Sequence, residues 1–77
     1  MERTYYPVFS IMKIRILRSV LVEIEKPRLS EVWDKQLYRG SEMHIEKINV
    51  DGKFANLITY EGDVVLQIPT DAYEVIV

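Results

Sequence analysis

MHIEKINVDGKFANLITYEGDVVLQIPTDAYEVIV, residues 43–77, is the stretch whose reading decides the fold. Met43 and Ile45 alternate with polar neighbours, then Ile48 and Val50 do so on the opposite parity. That switch implies one extra residue near Glu46-Lys47, a β-bulge. Asp51-Gly52 is a hairpin signal, because a type I′ turn takes positive φ at both central residues. The chain returns as a strand over residues 53–60, turns at Glu61-Gly62, and alternates again at Val64, Leu66 and Ile68. Pro69, which has no amide hydrogen for a ladder, ends that run. Thr70-Asp71-Ala72 has the length of one 3-10 turn, and Tyr73, Val75 and Val77 make a last short strand. Short alternating strands divided by turn residues specify a small all-β barrel.

Upstream, Met12, Ile14, Ile16, Val20, Val22 and Ile24 form an apolar row of period two, with Lys13, Arg15, Ser19, Glu23 and Glu25 on the other parity. This is one long strand, or two joined by a kink, and Arg18 in the middle of the row puts a bend near Arg18-Ser19. Leu17 and Leu21 fall on the nominally exposed face. Lys26-Pro27-Arg28 ends the run. Residues 29–40 are ambiguous: Leu29, Val32, Trp33 and Leu37 recur at helical spacing between a possible N-cap, Ser30, and a possible C′ glycine, Gly40. Val32, Trp33 and Tyr38 also favour a strand, and the reading adopted is an extended arm ending in a strand. The expected core is Ile16, Val22, Ile45, Leu57, Leu66 and Val75.

The run from Leu37 through Gly40 to Ile45 resembles the diverging turn of SH3 domains, and Asp51-Gly52 falls where the distal hairpin of that family belongs. Pro69-Thr70-Asp71-Ala72-Tyr73-Glu74-Val75 is similar to the family's Pro-Ser-Asn-Tyr-Val element. The resemblance covers about half the chain and implies an SH3-like barrel of five or six antiparallel strands with a single 3-10 turn. The Ala-Leu-Tyr-Asp-Tyr segment and the tandem tryptophans of peptide-binding members have no counterpart, so the resemblance does not carry proline-rich peptide recognition. The chain also resembles short bacterial proteins of unknown role, which implies no mechanism.

Seventy-seven residues make one domain with a small core. Residues 1–11 read as an N-terminal extension and 12–77 as the barrel. With no cysteine there is neither a disulfide nor a thiolate metal site, and a reducing, cytoplasmic setting is expected. No run approaches the roughly 20 apolar residues of a membrane-spanning helix. Neither a membrane association nor a cofactor is expected.

Chemistry-bearing patterns are sparse. His44, the one histidine, lies between Met43 and Ile45 on an alternating strand and should point outward. Gly40, Gly52 and Gly62 sit singly at turns and form no phosphate loop. Glu23 and Glu25 share a strand face, where a carboxylate pair can do acid/base work but far more often is simply solvated. No catalytic residue and no metal ligand is assigned, and an enzyme is not expected.

Two kinds of contact surface remain. Trp33, Tyr38, Phe54, Ile58 and Tyr60 are large apolar groups in excess of what a small core takes, and they are candidates for contact with a protein partner or a second copy. Phe54, Ile58 and Tyr60 share one parity of a strand whose other parity is also apolar, so a homodimer is expected there, with residues 5–9 as a competing cover. The alternative is a weak nucleic-acid binder using Lys13, Arg15, Arg18, Arg28, Lys35 and Arg39. Residues 1–40 hold eight Lys/Arg against five Asp/Glu, a balance of +3, while residues 41–77 hold two against seven, a balance of −5. The net charge of −2 and pI near 5.3 oppose a dedicated phosphate binder. Charge complementarity inside one barrel explains the same polarity.

Overall fold

A computed structural model describes residues 12–76. Seven strands form one antiparallel sheet: β1 (Met12–Ile16), β2 (Val20–Lys26), β3 (Glu31–Leu37), β4 (Glu42–Asp51), β5 (Phe54–Thr59), β6 (Val64–Pro69) and β7 (Tyr73–Val75). Their order across the sheet is β3-β2-β6-β5-β4-β1-β7, so the two terminal strands, β3 and β7, do not pair with each other. Two 3-10 turns, Pro27–Leu29 and Thr70–Ala72, interrupt the strands where five or six strands and one such turn were expected. Among the described residues no helix is long and apolar enough to cross a membrane.

The first apolar row behaves as its period demands. Ile14, Ile16, Val20, Val22 and Ile24 are buried, and the chain bends at 17–19 as Arg18 interrupts the row. Ile16 and Leu17 donate their amides across the bend to the carbonyls of Ser41 and Ala72, both at 2.8 Å, which ties it to the start of β4 and the second 3-10 turn. Residues 31–37 are a strand and not a helix. Ser30 takes a left-handed conformation (φ 54°) and ends the 3-10 turn by donating its amide to the Pro27 carbonyl at 3.2 Å, so it caps the C-terminal end of that turn and not the N-terminus of a helix. Gly40 (φ 90°) serves the turn into β4.

The β4–β5 hairpin carries its bulge where the parity switch placed it, between Ile45 and Lys47. Its turn is displaced by one residue from the expected Asp51-Gly52 pair. Asp51 pairs with Phe54, leaving Gly52-Lys53 at the centre, and of these only Gly52 (φ 66°) has positive φ. That is the pattern of a turn that needs glycine in its first central position, not of type I′.

Four expected core residues, Ile16, Val22, Ile45 and Leu57, are buried, and two are not. Leu66 is only half-buried and Val75 is 51% exposed; Val65, Ile68 and Ala72 fill the core instead. Val75 lies on the terminal strand β7, which among the described residues has a neighbour on one side only. The error at Leu66 has a local cause. Leu57 pairs with Val65 and Ala55 with Ile68, so two steps along β5 answer to three along β6. Gln67 absorbs the extra residue with a left-handed backbone (φ 51°), and its amide donates to Asn56 Oδ1 at 2.8 Å. Parity reverses across that bulge.

Candidate functional site

The hairpin β2–β3 gives Trp33 its position. In an antiparallel pair, residues directly opposite share a face, and Trp33 lies opposite Ile24, which in turn lies opposite Val65 on β6. The indole is therefore on the inner face of the sheet, but on a strand with no neighbour beyond it among the described residues. It stays 54% exposed, above a groove of about 400 Å³ with Ile24, Val65, Met43 and Thr59 among its lining residues. Lys26 Nζ stands 5.7 Å from the ring centroid and bonds to Asp63 Oδ2 at 2.9 Å. The indole N–H donates to Glu31 Oε1 at 2.8 Å. Thr59, the one buried polar residue among those described, accepts the Asp63 amide at its hydroxyl, 3.1 Å away. One wall of the groove is thus held by a part-buried ion pair, with an aromatic face over it.

The other four contact candidates are not gathered around Trp33. Tyr38 is exposed just past the opposite end of β3. Phe54, Ile58 and Tyr60 lie on the outer face of β5, opposite in parity to the buried Ala55, Leu57 and Thr59. Ile58 is half-buried between Lys47 and Val64, whereas Phe54 and Tyr60 are exposed at the two ends of the strand, about 20 Å apart at 3.3 Å per residue. Tyr60 instead borders a shallow surface hollow with Met43 and His44. Residues 5–9, the expected cover, lie outside the described residues.

The six cationic candidates are scattered as well. Lys13 and Arg15 both reach Glu42, at 3.5 and 3.3 Å; Arg15 also bonds to Glu74 at 3.2 Å, and Arg18 to Asp71 at 2.7 Å. In each case, as for Lys26 and Asp63, the cation comes from the first half of the chain and the carboxylate from the second. Interleaved strands turn the charge polarity of the sequence into internal ion pairs. The Arg15 guanidinium, bonded to Glu42, holds that carboxyl below its ordinary value; desolvation opposes the shift, and the charge of Lys13 adds to it. Arg28 sits in the 3-10 turn at the hairpin tip, Lys35 on the inner face of β3 opposite Val22, and Arg39 in the turn before β4. They occupy three separate places.

Glu23 and Glu25 share the outer face of β2, with Asp34 opposite the first and Val32 opposite the second. Among the described residues no three His, Asp or Glu side chains converge as metal ligands. His44 is exposed on β4, opposite Lys13 of β1. The groove residues Lys26, Met43, Thr59 and Asp63 carry no sequence signal, since they meet only because the end of β2 folds beside the β5–β6 turn. Comparison with family models, curated proteins and solved structures finds no match to the chain.

Proposed function

We propose that this chain is a non-enzymatic protein-binding or assembly module built on an SH3-like barrel, and that it takes an extended protein segment along β3 and the Trp33 groove. The barrel reading is supported by the meander β4-β5-β6 beside β1 and β7, with the 3-10 turn at Thr70–Ala72 leading into the last strand. One observation carries the functional reading: a half-exposed tryptophan on the inner face of a terminal strand, over an apolar-floored groove. Tryptophan is enriched among residues that dominate protein contacts, because its large rigid surface is desolvated at little cost in rotamer freedom. A terminal strand adds a row of unpaired backbone donors and acceptors that an extended segment can complete. A cytoplasmic setting fits the absence of cysteine.

The nucleic-acid alternative has less support, because Lys13, Arg15 and Arg18 already face carboxylates and a phosphate would have to displace them. Selection from a displayed library of random peptides tests the proposal, with Trp33→Ala as the counter-target. Enriched peptides should bind the full chain and lose at least tenfold on Trp33→Ala, and should quench or shift the fluorescence of this single tryptophan. No enrichment, or peptides indifferent to Trp33, would contradict it.

A further inference from the structure

Strand β3 reads Glu31-Val32-Trp33-Asp34-Lys35-Gln36-Leu37, and every residue before Leu37 is exposed. Among the described residues it pairs with β2 alone. Long exposed edges are normally blunted by charge, and the charges here do something more specific. Read antiparallel to itself about Trp33, the segment is self-complementary: Glu31 falls opposite Lys35 of a second copy, and Lys35 opposite Glu31. We infer that a second copy of this chain pairs with β3 through its own β3, about a two-fold axis at Trp33, and joins the two sheets into one. The inference rests on the proposed role of β3 as a contact strand and names one partner for it.

The charges also reject the neighbouring registers. A two-fold axis perpendicular to the sheet must pass through a residue, because directly opposite side chains share a face. An axis at Asp34 sets two carboxylates against each other, and one at Lys35 sets two ammonium groups together. An axis at Val32 leaves both charged ends without opposite partners. Only the axis at Trp33 gives two ion pairs on the inner face with the two indoles between them. On the outer face it places Val32, 56% exposed in the single chain, against Asp34 of the second copy. Five residues per chain form a contact smaller than the roughly 800 Å² per partner of a standard interface, so the dimer is weak, with a dissociation constant on the order of 100 μM.

Sedimentation equilibrium on the full chain at low salt, up to about 1 mM, tests this through charge reversal at exposed positions, with circular dichroism confirming that each variant is folded. Wild type should dimerise reversibly. Glu31→Lys alone and Lys35→Glu alone should each weaken self-association at least tenfold, since each places like charges opposite one another twice. An equimolar mixture of the two single variants should associate again as a heterodimer, and the double variant Glu31→Lys/Lys35→Glu should recover the homodimer. A wild type that stays monomeric overturns the inference. So do single variants that associate like wild type, or a mixture that stays monomeric. None of these results decides the peptide selection, which reads a foreign segment on Trp33; that selection stands or falls separately.

Discussion

The two strands of one hairpin, β2 and β3, are written in similar residues and end in opposite conditions. In β2, flanked by β3 and β6, Val20, Val22 and Ile24 are buried and the residues between them are exposed or half-buried. In β3, flanked among the described residues by β2 alone, Trp33 and Lys35 point to the same inner face as Ile24 and Val22 yet remain exposed. Only Leu37, at the end of β3 opposite Val20, becomes core; the inward positions of Trp33 and Lys35, without a second described neighbour, stay open. What an inward-facing tryptophan without that neighbour offers is surface.

The sharpest break between the two conditions is energetic. Leu57, fully buried on the interior strand β5, should cost about 2–4 kcal/mol when changed to Ala, read by urea unfolding. An unchanged midpoint would mean that the inner face is misassigned. Next in size, Val65→Ala should cost about 2 kcal/mol from lost methyl groups and the cavity they leave. Leu66→Ala should cost less although it removes more carbon, because the Gln67 bulge leaves Leu66 only half-buried. Trp33→Ala should cost no more than about 1 kcal/mol, a surface-like value for the largest side chain in the protein. A loss as large as that at Leu57 would make Trp33 a core residue and remove the reason to call β3 a contact strand.

That ranking also shows what was legible in the residues. Alternation on even positions placed Ile14, Ile16, Val20, Val22 and Ile24 correctly, the bend showed as the interruption of that row at Arg18, the bulge at Glu46-Lys47 as a break in parity, and Pro69-Thr70-Asp71 marked its 3-10 turn. The bulge at Gln67 left no such mark. Val64, Val65, Leu66 and Ile68 are all apolar, so a reversal of parity among them changes nothing in the pattern. The Trp33 groove was hidden for a different reason: its walls come from β2, β3, β4 and the β5–β6 turn, and sequence spacing says nothing about which of these meet. The five aromatic and apolar candidates shared a composition but not a face.

The smallest expected effect concerns the ion pairs that join the two halves of the chain. Glu42 has its carboxyl lowered mainly by its bond to Arg15. Its contribution is therefore present at neutral pH and is lost as pH falls through the depressed folded-state value. Glu42→Gln should lower the melting temperature slightly near neutrality and match wild type at acid pH, which flattens the acid limb. An acid limb identical to wild type would mean that these exposed pairs contribute nothing measurable, a common result for surface ion pairs.

Residue-resolved amide hydrogen exchange on the full chain tests most directly whether β3 is an open contact strand. In dilute solution the amides of β5 and the inner ladder of β2 should be slow, while in β3 slow and fast amides alternate, the fast ones facing away from β2. At millimolar concentration the fast amides from Glu31 to Lys35 should become slow as a second copy pairs with them, and those of β5 should not change. Uniformly slow β3 amides in dilute solution would contradict the account, because the edge would already be covered within the single chain.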